Sequence, residues 1–300
     1  MTALSILYRG PLSSCNYGCE YCPFAKHRET EAELAHDREC LERFVLWCES
    51  NTERPLRIFF TPWGEALIRQ WYRTAMVWLS QMRHVQKVAC QTNLSYSLDW
   101  LKAINRETTA LWCTYHPGET KREKFVEKIN KLSSFGIAHS VGIVGLKEHM
   151  QEATLLRTAL PTSTYVWVNA YKRVANYYST EERAFWTAID PHFETNNQYH
   201  TSFGEECTTG SEVISVDGTG NVQRCHFVKE TLGNLYQNKL SEILRITLCP
   251  NEKCGCYIGY VHLEKLDLAA VYGERILERI PLQLIPEKVQ ILPATVGNNF

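Results

Sequence analysis

The sequence predicts an α/β chain: a partial, TIM-like (β/α)6 barrel followed by a small C-terminal region of different character. Three observations lead there. Through the first two-thirds, short apolar runs alternate with longer amphipathic ones, the pattern of repeated strand–helix units in a parallel sheet. Six such units can be counted, fewer than the eight that close a barrel, so the sheet is expected to stay open. After Asp190-Pro191 the alternation stops and a polar stretch without a clear period begins.

Taken in order, strands are expected at 4–9 (LSILYR), 56–60 (LRIFF), 87–91 (KVACQ), 110–114 (ALWCT), 138–144 (AHSVGIV) and 164–168 (TYVWV). Helical patterns lie near 31–50, 66–82, 97–105, 120–134 and 147–158, and TEERAFWTAID at 180–190 supplies a sixth. The stretch PHFETNNQYHTSFGEEC reads as a linker into the second region. That region carries a hairpin signal, VISV then DGTG then NVQRC, with Asp-Gly and Gly available for the turn. From Val261 to Phe300 one amphipathic stretch and a Pro-containing tail are expected. The divisions are therefore 1–195, 196–260 and 261–300.

Composition narrows the function classes. Of 300 residues 44% are apolar and 22% charged, with 32 Lys and Arg against 33 Asp and Glu. The net charge of -1 argues against a nucleic-acid partner, which needs a basic bias. The first residues lack a basic segment and a long apolar run, and no later stretch reaches membrane-spanning length, so the expectation is a cytoplasmic protein without a membrane partner. Twelve cysteines in that compartment point to metal rather than disulfides. They cluster as Cys15, Cys19 and Cys22, and as Cys207, Cys225, Cys249, Cys254 and Cys256. Cys40, Cys48, Cys90 and Cys113 stand alone on apolar or amphipathic segments and read as small buried hydrophobes.

Cys15, Cys19 and Cys22 form C-x3-C-x2-C between the first strand and the first helix. Structural zinc wants four closed ligands, so three thiols leave it one short unless a distant His completes the set. A four-iron cluster normally takes one thiolate per iron, so three leave one iron open for a further ligand. This spacing, with aromatic Tyr21 before the last cysteine, resembles the radical S-adenosylmethionine (SAM) family. The resemblance implies a [4Fe–4S] cluster whose open iron binds the SAM amino and carboxylate groups. An electron from the cluster then yields methionine and a 5′-deoxyadenosyl radical that abstracts hydrogen from the substrate.

Further motifs follow successive strands. In FFTPWGEA, Gly64-Glu65 resembles the family's Gly-Gly-Glu-Pro segment for the SAM amino group, with Trp63 in place of the first Gly and Ala66 in place of Pro. Gln91-Thr92-Asn93 is similar to the family's Thr-Asn-Gly turn. Val141 to Glu148 resembles an adenine-contacting G-x-I-x-G-x-x-E motif through Ile143, Gly145 and Glu148, with Val141 replacing the leading Gly. Tyr115 and His116 close the fourth strand, where His116 either caps the strand or touches SAM or substrate. Asn169, Tyr171, Lys172 and Arg173 close the sixth. Lys172 and Arg173 either pair with the SAM carboxylate or are solvated loop charges. Polar groups at the C-terminal ends of parallel strands are where barrel enzymes build their sites. His116, Tyr115 and Lys172 are the catalytic candidates. Tyr21, Trp63, Gly64, Glu65, Thr92, Asn93, Ile143, Gly145, Glu148 and Asn169, again with His116, are the cofactor-binding ones.

The second cysteine group admits a zinc ribbon or a second cluster. C-x12-G-x4-C from Cys207 through Gly220 to Cys225, followed by LGNLYQNKLSEIL, resembles the auxiliary-cluster extension known as SPASM, or its shorter twitch form. Too few cysteines remain for the two clusters of a full SPASM, so the resemblance implies a twitch-like domain with one auxiliary [4Fe–4S] cluster. Cys207 and Cys225 are its first ligands. Cys254 and Cys256 are favoured for the others, with Cys249 in competition.

The function so implied is a radical SAM oxidoreductase or maturase that modifies or cross-links an unactivated C–H position, with a peptide or protein as the favoured substrate. Rivals are a small-molecule dehydrogenase and a non-catalytic iron–sulfur electron carrier. An external electron donor of the flavodoxin or ferredoxin kind is expected. About fourteen residues precede Cys15, so a substrate-recognition partner is expected to be a separate chain.

Overall fold

The structure, a computed structural model, describes residues 2–24 and 27–283. The expected tail from 284 onward lies outside the described residues. Six parallel strands, β1 (Leu4–Arg9), β2 (Leu56–Phe60), β3 (Val85–Thr92), β4 (Thr109–Tyr115), β5 (Ala138–Gly145) and β6 (Val166–Ala170), stand in chain order in one sheet. Between them run α1 (Glu31–Ser50), α2 (Gln70–Gln81), α3 (Arg122–Ser134) and α4 (Met150–Ala159), followed by α5 (Thr180–Ile189). The expected helix at 97–105 is only a 3-10 turn, Asp99–Ala103. The helices expected from 66 and 147 likewise open with 3-10 turns, Ala66–Ile68 and Lys147–His149.

Strand alternation sorts the side chains between two cores. Tyr8, Phe60, Cys90, Cys113 and Ile143 pack under the helices with Phe44, Met76, Ile129 and Trp186. Leu7, Phe59, Ala89, Trp112 and Trp167 point the other way, into the lumen. The four isolated cysteines are all buried, Cys48, Cys90 and Cys113 completely, as small apolar residues would be.

The stretch after Asp190 is not a loose linker. It forms α6 (Phe193–Asn196) and β7 (His200–Thr201), with Phe193 fully buried. Its polar residues serve β6, the last strand of the sheet, whose outer N–H groups have no neighbouring strand. Asp190 accepts from Val168 N at 2.8 Å and Asn196 Oδ1 from Ala170 N at 2.7 Å. At the opposite edge, β8 (Val213–Asp217), β9 (Asn221–Gln223) and β10 (Thr231–Asn234) extend the same sheet. β8 and β9 form the expected hairpin, with Gly220 at φ +86 and Asp217 Oδ1 accepting from Thr219 N. Unexpectedly, β8 also pairs in parallel with β1, Leu7 opposite Ser215, so this region is joined to the barrel. Two shorter segments follow: α7 (Leu240–Ile243), then β11 (Lys253–Cys254), which pairs with β7.

Of the amphipathic stretch expected after 261, the described residues form short turns rather than one helix, and with the segment just before them they plug the N-terminal end of the lumen. α8 (Tyr257–Tyr260) and α9 (Leu268–Tyr272) bring Tyr257, Leu268 and Tyr272 against Trp112 and Trp167. Those large inner-face rings need an apolar cover, which a solvent-facing helix would not give. Arg279 is fully buried in the plug, its guanidinium 4.4 Å from the Trp167 ring centroid and 4.3 Å from that of Tyr257. Glu278 meets Lys87 Nζ at 2.9 Å, and its carbonyl accepts from Ser140 Oγ. With that mouth filled, the lumen opens at the C-terminal strand ends. Among the described residues no helix is long and apolar enough to cross a membrane.

Candidate functional site

The three-cysteine loop leaves β1 and is fastened to the chain after β2. Trp63 N donates to Leu12 O at 3.1 Å and Glu65 N to Ser14 O at 2.9 Å. Between them Gly64 presses so closely that a Cβ would lie 1.9 Å from Ser14 O. From the other side Glu29 accepts from the backbone N–H groups of Ser13 and Ser14. Burial opposes ionisation of Glu29, but these hydrogen bonds outweigh it and hold the carboxyl below its usual range. Trp63 itself is 40% exposed, packed between Phe24 and the Arg9 guanidinium.

Within the loop, Cys15 Sγ accepts from Tyr17 N at 3.4 Å and lies 3.6 Å from Asn93 Nδ2. Burial, reinforced by Glu65 and the neighbouring thiols, pushes Cys15 up to about 11. Cys19 Sγ lies 3.5 Å from His116 Nδ1, and the Tyr21 hydroxyl is 2.7 Å from the same nitrogen. Burial, with His149 nearby, lowers His116 to about 4, so its imidazole is neutral at ordinary pH. The structure thus brings together the loop, Tyr21 and His116. It adds His149, whose ring meets that of Tyr21 edge-on at 5.5 Å.

Glu65 lies at the centre of the next shell. It is 4% exposed and accepts from Thr92 Oγ1 at 2.7 Å, Asn93 N at 2.6 Å and Leu67 N at 3.0 Å. Burial raises its pKa against the pull of those donors. Gly64, Glu65, Thr92 and Asn93 therefore form one connected unit with Cys15 at the ends of β1, β2 and β3.

Other expected residues fall elsewhere. Tyr115 and Ile143 share the helix-facing parity of their strands, and the Tyr115 hydroxyl donates to Glu152 at 3.1 Å. Neither faces the lumen, because strand alternation gives that side to their neighbours Thr114 and Gly142. Glu148 is exposed on its 3-10 turn, and His149 takes the inward place. Gly145 packs against Val168 and the Tyr178 hydroxyl, which donates to its carbonyl. Asn169 is exposed on the lumen-facing parity of β6. Lys172 is tied to the backbone carbonyls of Asn196 and Gly255, the latter at 2.5 Å. Burial lowers it to about 8 although Cys256 and Cys254 pull the other way. It belongs to the second cysteine group rather than to the first loop.

All five later cysteines line one cavity of about 330 Å³. No carboxylate shares that lining, and a thiol-only donor set suits zinc or iron–sulfur rather than a hard cation. Among the described residues no three His, Cys, Asp or Glu side chains converge to hold a single ion. The space is roughly ten times the share of liquid volume of a water, about 30 Å³. Such a cavity fits a cluster. Burial raises Cys225 to about 11 and Cys254 to about 12, and for each of them the neighbouring thiols add to the rise. Cys225 and Cys254 thus stay protonated at ordinary pH until a metal takes their thiolates.

Two residues carry weight here without any sequence motif. Arg224 is 3% exposed and donates to Thr209 Oγ1 and to Leu248 O. Arg9 ends β1 on the lumen side, its Nε donating to Thr61 O at 2.9 Å and its guanidinium 4.0 Å from the Trp63 ring centroid. Burial lowers it to about 10 against the pull of Cys256 and Cys225. Alternation from Leu7 was the available signal for Arg9; for Arg224 there was none.

No protein-family model matches the chain, and no curated protein does. Solved structures do. Histidine-tagged anSMEcpe with bound AdoMet aligns at TM-score 0.55 and 14% identity, over 80% of this chain and 77% of that one. Native anSMEcpe with bound AdoMet and the Kp18Cys peptide aligns at 0.55 and 14%, over 82% and 81%. The same protein with AdoMet and the Cp18Cys peptide gives 0.51 and 15%, over 80% of each chain. At such identity the likeness concerns the fold, and the partial barrel expected from the six strand–helix units is the fold found.

Proposed function

We propose that this chain is a radical SAM enzyme, with a [4Fe–4S] cluster on Cys15, Cys19 and Cys22 and an auxiliary one in the second thiol pocket. The observation that carries the reading is the fastening of the Cys15 loop to Gly64-Glu65 and Asn93 at the mouth of the lumen. Residues 1–195 are the SAM-binding barrel, 196–260 the auxiliary-cluster region, and the described residues after 260 complete the plug that Tyr257–Tyr260 begins. When bound, the first cluster supplies the electron that cleaves SAM into methionine and a 5′-deoxyadenosyl radical for hydrogen abstraction. The chain's own residues prepare that event. Gly64 lets the two loops meet without a side chain between them. Glu65, fixed by Thr92 and Asn93, offers carboxylate lone pairs to the SAM ammonium. Neutral His116 holds Tyr21 and so the course of the loop beside Cys19. The plug keeps water from entering at the N-terminal end.

A peptide or protein is the proposed substrate, supported by the peptide complexes of anSMEcpe. An external flavodoxin- or ferredoxin-like donor supplies the electron. The cytoplasm, where thiols stay reduced, suits twelve cysteines.

Anaerobic reconstitution followed by reduction with SAM is expected to yield 5′-deoxyadenosine and methionine, and Cys15→Ala to abolish both. Absence of 5′-deoxyadenosine from iron-loaded wild-type protein would sink the reading in favour of an electron carrier. Tyr115→Phe, which removes only the bond to Glu152, is expected to cost about 1 kcal/mol in a denaturant titration and to leave deoxyadenosine formation unchanged.

A further inference from the structure

We infer that Arg9 binds a carboxylate of the substrate, so that the peptide or protein proposed above presents an Asp or Glu side chain, or a free C-terminus, to the lumen. The inference rests on the peptide reading and adds the charge of the group that the site selects.

Arg9 is the last residue of β1 and shares the parity of Leu7, so it stands at the open mouth of the lumen. Two contacts fix its guanidinium: Nε donates to Thr61 O at 2.9 Å, and Cζ lies 4.0 Å from the Trp63 ring centroid. Trp63 takes the place of the leading glycine in the motif that FFTPWGEA resembles, so this shelf is the chain's own. The Nη atoms of Arg9 have no acceptor among the described residues, and no described carboxylate pairs with it. Asp217 stands opposite it in register on β8 but turns to its own hairpin, accepting from Thr219 N, Asn221 N and Asn221 Nδ2. A half-buried cation without a counter-charge is costly, and the free pair of Nη groups matches the two oxygens of a carboxylate.

The rest of the mouth is polar and uncharged. On the lumen face β3, β4 and β6 end in Gln91, Thr114 and Asn169. The Gln91 and Asn169 side chains make no hydrogen bond among the described residues, and Thr114 Oγ1 is buried without one. Amides and a hydroxyl of this kind suit a peptide backbone, which both donates and accepts. The other lumen-side charges are engaged. Arg57 and Lys87, toward the plugged end, pair with Glu274 and Glu278. Lys172 donates to the carbonyls of Asn196, Gln198 and Gly255, and Arg279 lies among the rings of Trp112, Trp167 and Tyr257. Glu65 accepts from Thr92 Oγ1 and from the N–H groups of Asn93 and Leu67. Of the cations on the inner strand faces, Arg9 alone among the described residues keeps donors to offer.

The probes are three pools of acetylated pentapeptides, randomised over uncharged residues around a fixed centre: Asp with an amidated C-terminus, Asn with an amidated C-terminus, and Asn with a free one. Retention by the reconstituted full chain in the presence of SAM is read by ultrafiltration and mass spectrometry. One carboxylate pool is expected to be retained about tenfold over the neutral pool, and which one it is tells side chain from C-terminus. Arg9→Gln is expected to bring that ratio to about one, and Arg9→Lys, which keeps the charge without the fork, to hold part of it. No preference in the wild-type chain, or an undiminished one in Arg9→Gln, overturns the inference. Phenylglyoxal labelling of the wild-type chain with peptide mass mapping reads the same contact without a variant. The preferred carboxylate pool is expected to slow the labelling of Arg9 and the neutral pool to leave it unchanged. Protection by SAM alone, which would give Arg9 to the cofactor, or protection by no pool overturns it. Deoxyadenosine formation by the same preparation separates the two readings. Its absence beside a carboxylate preference counts against the radical SAM reading alone, and its presence without the preference against this inference alone.

Discussion

Gly64→Ala is expected to give a folded protein that has lost the iron of the three-cysteine loop and kept that of the second pocket. An added Cβ would stand 1.9 Å from Ser14 O, 2.7 Å from Ser14 C and 2.8 Å from Ser14 N. Carbon contacts are comfortable at about 3.5–4.0 Å, so the two chains must part by more than an ångström. All three obstructing atoms are backbone, and no rotamer change relieves them. What gives way is the pair of bonds from Trp63 N and Glu65 N to Leu12 O and Ser14 O, and with them the position of Cys15. The sheet is spared, because β2 ends at Phe60. Overpacking of this kind costs about 1–3 kcal/mol, which a chain of this size survives. Iron analysis beside a thermal melt checks it: wild-type iron and wild-type deoxyadenosine yield in Gly64→Ala would show that the close approach is dispensable.

Legibility followed the range of the interaction that fixed each feature. The six parallel strands, and the helices after all of them but the third, rest on local apolar runs, and they could be read directly. The pairing of β8 with β1 joins residues some two hundred positions apart and leaves no local trace, so VISV looked like half of a detached hairpin. Asp190 reads as the last residue of a helix and Asn196 as a linker residue, because their partners, the N–H groups of β6, belong to an edge that only the assembled sheet defines. In the site, the thiols were legible by spacing and Gly64-Glu65 through the family resemblance. Tyr115 and Ile143 were misplaced although the sequence held the correction: Trp112 and Thr114 alternate with Cys113 and Tyr115, and only one pair can face the lumen.

Arg224→Lys is expected to remove most of the iron from the second pocket while leaving the first loop able to cleave SAM. The guanidinium is buried with no carboxylate partner among the described residues, a costly arrangement unless negative charge is supplied from elsewhere. The thiols around it would supply that charge once the proposed metal deprotonates them, so that cation and cluster would support each other. A lysine keeps the charge but not the fork, and one ammonium cannot reproduce the planar span from Thr209 Oγ1 to Leu248 O. Each lost bond from a charged donor is worth about 1.5–3 kcal/mol, enough to free the segments bearing Cys207 and Cys249 from the position of Cys225. Arg224→Met, which removes the charge as well, is expected to lose more iron than Arg224→Lys. Iron bound in the background lacking Cys15, Cys19 and Cys22 reads the effect on the pocket, and deoxyadenosine formed by Arg224→Lys in the otherwise wild-type chain reads the first site. Full iron in Arg224→Lys would mean that charge alone suffices and that the fork does not organise the pocket.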